Sequence, residues 1–156
     1  MEAIPQRVLK LVLEDDSCPI DTWLEKLRDK TTQARIMRRI DRLTRGNFGD
    51  FKGIDEDISE LRLNFGAGYR IYYGRIGNTI VVLLGGSDKS KQAAAIIEAR
   101  RLWRDFKSSG FSEAALLAWP GEEQAIEAEE SHADAAEGNI PSVGEEGVRQ
   151  NEAEEL

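Results

Sequence analysis

Between residues 60 and 84 three strand-forming segments follow one another, separated only by Gly66-Ala67-Gly68 and Ile76-Gly77-Asn78-Thr79. Turns this short join neighbouring antiparallel strands and leave no room for a crossover connection. Residues 60–65 alternate strictly, with Leu61, Leu63 and Phe65 on one face. Residues 69–75 are rich in aromatic and β-branched side chains. Residues 80–84 are continuously apolar, as in a strand covered on both faces. This meander needs helices above and below it.

Segments able to cover it lie on either side in the chain. Residues 8–13 read as a further strand, short and nearly all apolar. Pro19 opens a first helix that buries Ile20, Trp23, Leu24 and Leu27 and ends near Asp29. Thr31 or Thr32 caps a second helix running to about Arg45, with Gly46 just past its end. Helical periodicity gathers Ile36, Ile40 and Leu43 on one side and Arg35, Arg38, Arg42 and Arg45 almost opposite. Residues 48–57 read as a loop carrying Lys52. A last helix spans about residues 90–107, with Ile96, Ala99, Trp103 and Phe106 as its core face. The order β-α-α-β-β-β-α defines an α+β domain with helices packed on a largely antiparallel sheet.

The hairpins fix which side chains meet. With Gly66-Ala67-Gly68 as the loop, Phe65 pairs with Tyr69, Asn64 faces Arg70 and Arg62 faces Tyr72. Alternation then puts Arg62, Asn64, Arg70 and Tyr72 on one face. Closing the second hairpin at Ile76 and Thr79 places Gly85 opposite Arg70, with Asp88 and Lys89 nearby. Cations, an amide and a phenol in one place could hold a phosphate and move protons at a ribose hydroxyl. The same arginines could equally decorate a solvated sheet face, and geometry alone leaves the two open. The arginine stripe of the second helix is likewise a solvated face or a surface for phosphates or acidic partners. Asp41 is the sole acid in residues 33–45. Gly85-Gly86-Ser87-Asp88-Lys89 lacks the spacing of a nucleotide-hydrolase phosphate loop.

Charge divides the chain in two. Residues 1–107 hold 20 Lys+Arg against 16 Asp+Glu, a net of +4, and residues 108–156 hold 1 against 13, a net of −12. The domain is therefore expected over residues 1–107. Residues 108–156 form an acidic tail in which 111–119 could make a short helix and the rest is too poor in apolar residues to order. Cys18 is the sole cysteine and His132, in the tail, the sole histidine, so disulfides, thiolate clusters and His-based catalysis or zinc sites are not expected in the body. The longest apolar run, residues 114–119, has six residues, so no membrane span is expected, and with no signal-peptide pattern the natural location is the cytoplasm.

Six ordered motifs carry a family resemblance. They are Asp21-Thr22-Trp23-Leu24-Glu25-Lys26-Leu27-Arg28-Asp29; Arg35-Ile36 through Arg39-Ile40-Asp41-Arg42-Leu43; Gly46-Asn47-Phe48-Gly49-Asp50-Phe51-Lys52; Ser59-Glu60-Leu61-Arg62; Gly66-Ala67-Gly68-Tyr69-Arg70-Ile71-Tyr72-Tyr73; and Leu83-Leu84-Gly85-Gly86-Ser87-Asp88-Lys89-Ser90-Lys91-Gln92. Over roughly residues 8–107 the series resembles the phage-derived HigB-like addiction-module killer proteins of the RelE/ParE toxin superfamily. The family motif commonly reads Gly-Pro-Gly where this chain has Gly66-Ala67-Gly68. The resemblance implies the toxin of a type II toxin–antitoxin pair, with a helix-turn-helix antitoxin as partner. It implies a metal-independent endoribonuclease, without cofactor, that cuts mRNA on the ribosome and so inhibits translation. Carried over by motif position, the catalytic residues would be Lys52, Arg62, Arg70, Lys89 and Tyr72. Arg35, Arg38, Arg42, Arg45 and Asn64 would contact RNA or ribosome. A gyrase-inhibiting toxin of the ParE branch and a non-catalytic relic that only binds its antitoxin are the alternatives.

Overall fold

The computed structural model describes residues 3–120. The acidic stretch from residue 121 onward, expected to be disordered, lies outside the described residues.

The meander forms as β3 (Ile58–Leu63), β4 (Tyr69–Ile76) and β5 (Ile80–Asp88), all antiparallel. The N-terminal strand β1 (Arg7–Leu11) joins it in parallel beside β5. Two short strands finish the sheet. β2 (Phe51–Gly53) pairs with β3, inside the segment expected to be a loop. β6 (Leu116–Ala118) pairs with β1. The sheet order is β2-β3-β4-β5-β1-β6.

β6 changes the expected domain boundary. A short helix is expected over residues 111–119 in a tail starting at 108. Instead a 3₁₀ turn at Glu113–Ala115 leads into a strand. Trp119 follows it, 2% exposed, its indole N–H donating to Asp41 Oδ1 at 2.7 Å. The backbone N–H of Trp119 also donates to the Val8 carbonyl at 3.0 Å, so the compact domain runs through Trp119 rather than ending at 107.

Helices α1 (Pro19–Lys26) and α2 (Lys30–Thr44) cover one face. Ile20, Leu24, Ile36, Ile40 and Leu43 pack there against Val8, Leu61, Ile71, Tyr73, Val81 and Leu83. The cap of α2 is Asp29 rather than Thr31 or Thr32. Its carboxylate accepts from the Thr31 N–H at 3.0 Å and from the Thr32 hydroxyl at 2.9 Å. A carboxylate offers one oxygen to each donor and carries a negative charge favoured at the positive end of the helix, a charge that a hydroxyl lacks.

Helix α3 (Gln92–Ser108) covers the other face with Ala99, Leu102, Trp103 and Phe106, over Leu11, Ile58, Tyr72, Val82 and Leu84. Trp103 lies so close to Gly74 that a Cβ there would collide with the indole ring. β5 outruns its apolar segment because α1 and α3 close over its far end. A Cβ on Gly86 would strike the ring of Trp23, so only glycine admits that approach. Among the described residues no helix is long and apolar enough to cross a membrane.

Candidate functional site

The register of the meander decides the site. β3 pairs with β4 so that Arg62 lies opposite Arg70, Glu60 opposite Tyr72 and Leu63 opposite Tyr69. The expected pairing, Phe65 with Tyr69, is therefore two residues out. Residues 64–68 all leave the ladder. Gly66 and Gly68 take left-handed conformations (φ 54° and 77°), and the Gly68 N–H bonds the Phe65 carbonyl at 2.9 Å. A slip of two preserves the face of every side chain. Arg62, Arg70 and Tyr72 thus share the α3 face as expected, while Asn64 lies beyond the end of β3.

The second hairpin is also displaced. It closes at Ile76 and Ile80, with an irregularity between Tyr72 and Tyr73, so Arg70 lies opposite Ser87 and Tyr72 opposite Gly85. Ser87 rather than Gly85 is therefore the neighbour of Arg70.

At the centre sits a residue outside the expected site. Glu60 is 1% exposed, and its carboxylate gathers three side chains. Arg62 Nε donates to Oε2 at 3.1 Å. Gln92 Nε2, from the first turn of α3, lies 2.9 Å and 3.1 Å from the two oxygens. Arg70 Nε is 3.5 Å from Oε2, an ion pair outside hydrogen-bonding geometry. Arg70 also donates from Nη1 to its neighbour's carbonyl, Tyr69 O, at 3.0 Å. A carboxylate this deep requires such partners, since an unpaired buried charge is prohibitively costly.

The other candidates distribute by depth. Arg62 is partly exposed and Arg70 is buried. Lys52 is exposed on β2, opposite Glu60 and on its face by register. Lys89 is exposed in a 3₁₀ turn, and both its Cβ and Arg70 Nη1 flank Gly68. Tyr72 is 1% exposed, with its hydroxyl 2.9 Å from Ser87 Oγ. Burial, above all, pushes its phenol pKa up. Tyr72 is thus held inside the domain, its hydroxyl on Ser87, the register partner of Arg70. Lys52, Arg62 and Lys89 are the cations at the surface around a buried Glu60–Arg70 pair.

On the opposite face, Arg35, Arg38 and Arg42 of α2 do come together. With Arg39, Arg62 and Asn64 they line a groove of about 300 Å³. Arg45 is exposed past the end of α2 and is not among its lining residues. Arg39, overlooked in sequence, is held by the carbonyls of Phe48 and Asp50, each at 2.9 Å. Burial first, and then the Arg42 charge, lower its pKa. Asn64 donates to Asp50 Oδ2 at 2.9 Å. Among the described residues no group of three His, Cys, Asp or Glu side chains could hold a metal ion.

An α+β domain with a charge cluster on the α3 face and an arginine groove beside α2, the two sharing Arg62, is thus defined. An uncharacterized protein of Haemophilus influenzae is 45% identical to this chain over 82 residues, which cover 53% of this chain and 83% of that protein. The chain belongs to the same family as that protein. No family model matches the chain.

Proposed function

We propose that this protein is the toxin of a type II toxin–antitoxin pair, a metal-independent endoribonuclease of RelE/ParE-like fold that cuts mRNA on the ribosome and is restrained by a helix-turn-helix antitoxin. The observation that carries the reading is the set of cations Lys52, Arg62, Arg70 and Lys89 around the single buried carboxylate of Glu60. Four cations against Glu60 and the partly exposed Asp88 leave an excess of positive charge where a phosphate would bind. The β1–α1–α2–meander–α3 order is compatible with the fold that the resemblance implies.

In the reaction, a ribose 2′-oxygen attacks the adjacent phosphorus and its proton passes to a base. The bond to the 5′-oxygen breaks and that oxygen takes up a proton, directly or from water, leaving a 2′,3′-cyclic phosphate and a 5′-hydroxyl. Charge builds on the non-bridging phosphate oxygens. Arg62, with its Nε committed to Glu60, keeps its terminal nitrogens for two-point contact with those oxygens. Lys52 and Lys89 supply point charges from either side. Arg70, locked by Glu60, contributes its field from behind and needs no reorganisation as charge develops. Tyr72 and Ser87 keep the floor of the site in place.

Expression without a partner protein should arrest growth, and a translating extract should cleave a reporter mRNA to fragments ending in cyclic phosphate. Arg62→Ala should lower cleavage at least about a hundredfold, the scale of one lost oxyanion-type donor. Growth arrest with intact mRNA and an induced DNA-damage response would place the protein with gyrase inhibitors instead. Normal growth would leave it as an antitoxin-binding relic.

A further inference from the structure

Two grooves are linked by a row of three neighbouring aromatic rings. The first groove is the arginine groove of α2 and β3, whose lining includes Phe65. The second, about 470 Å³, lies where α1, β5 and α3 meet, and Trp23, Lys26, Asp88 and Lys91 line it. Phe65 borders the first and Trp23 the second. Tyr69 stands between them, with ring centroids 5.4 Å from Phe65 and 6.2 Å from Trp23. The Arg35 guanidinium lies 3.7 Å from the Phe65 ring centroid. All three rings are only partly buried.

Each part of this surface has a cost in the free protein. Arg35, Arg38, Arg39, Arg42 and Arg62 repel one another along the first groove, and its amide, Asn64, is already bonded to Asp50. Partly exposed aromatic rings forgo burial. A ligand that is anionic along its length and carries flat apolar faces repays both. Asp88, the acid of the second groove, is turned to internal work: it accepts from Ser90 Oγ at 2.6 Å and from the Lys91 N–H at 3.2 Å.

We infer that this surface binds single-stranded nucleic acid, phosphates lying in the arginine and lysine grooves and unpaired bases stacking on Phe65, Tyr69 and Trp23. Stacking on aromatic rings demands unpaired bases, and a cationic groove that follows the backbone supplies affinity without sequence preference. The inference rests on the RNA-cleaving reading for its substrate class. It adds a binding mode that needs no ribosome, on a surface that meets the proposed site at Arg62 and at Ser87.

The test uses the full chain without ribosomes and a fluorescent 2′-O-methyl oligouridylate, which lacks the attacking hydroxyl. Fluorescence anisotropy should report binding that weakens steeply as salt rises. A blunt duplex of equal length should bind clearly less well. Phe65→Leu, which keeps apolar bulk but removes the ring, should weaken single-strand binding about tenfold. Phe65→Tyr should retain it, and Arg38→Gln should flatten the salt dependence. Equal affinity for duplex, undiminished affinity in Phe65→Leu, or displacement by polyglutamate at equal charge would overturn the inference. Cleavage in extract without oligonucleotide binding would sink this surface alone. Binding without any cleavage or toxicity would sink the toxin reading and leave the surface standing.

Discussion

Glu60 Oε2 lies 3.5 Å from Arg70 Nε, and both side chains are buried against the first turn of α3, with Gln92 closing over the carboxylate. Neither charge is tolerable there alone. Glu60→Ala is expected to lower the unfolding free energy by about 3 kcal/mol or more, because it strands a buried guanidinium. Joint replacement, Glu60→Met with Arg70→Met, should cost less than the two single losses combined. Urea denaturation of Glu60→Met, Arg70→Met and the double variant measures the coupling, and strictly additive losses would mean that the pair is not coupled.

Two of the three tyrosines, Tyr72 and Tyr73, are buried, and burial raises the pKa of both above the ordinary 10.0. A group whose folded pKa is raised contributes stability that is fully present below its unfolded pKa and is lost as pH climbs through the folded value. Stability should therefore fall above about pH 10. Phenolate absorbance should reveal two tyrosines that titrate only as the protein unfolds. Tyr72→Phe, which leaves Ser87 Oγ without its partner, should cost about 1 kcal/mol at neutral pH and soften the alkaline loss.

Trp119 ties β6 to α2 through Asp41. Trp119→Ala should cost about 3–5 kcal/mol, the usual range for deleting a buried tryptophan. Truncation after Lys107 removes β6 and Trp119 together and should lower the melting temperature at least as far. A chain shortened to end at Pro120 should melt close to the full-length protein. Equal melting temperatures for the two truncations would mean that β6 adds nothing to the domain.

Gly74 faces Trp103 with no room for a side chain. Gly74→Ala must push the indole or the strand aside, at about 1–3 kcal/mol, the cost of overpacking a filled core. Thermal denaturation read by tryptophan fluorescence would register both the loss and the changed indole environment.

What the sequence revealed about the site depended on parity. The face shared by Arg62, Arg70 and Tyr72 was legible because the register error was an even number of residues, and even slips do not turn side chains over. The partners themselves were not legible, because Phe65 looked like the last rung of β3 and instead folds out to meet Tyr69. Glu60 stayed hidden for a different reason. An acid in an alternating strand reads as solvated, and its burial depends on Arg70 and on Gln92, 32 positions further along the chain. β2 and β6 are three residues each, too short to leave a periodic signal, and each exists only because a longer strand offers it an edge. Trp119 looked like part of a tail because its indole acceptor, Asp41, is 78 positions away.

The position of β1 sets an order of events in synthesis. It leaves the ribosome before the other five described strands, yet its neighbours are β5, beginning at Ile80, and β6, ending at Ala118. Until those residues emerge, Val8 and Leu9 have no ladder to join, and the long loop that brings the ends together must close at an entropic cost. The meander, made of near neighbours, can pair earlier. The nascent chain therefore carries Arg62 and Arg70 on a partly formed sheet while its first strand waits, and the domain becomes whole only once Trp119 has been added.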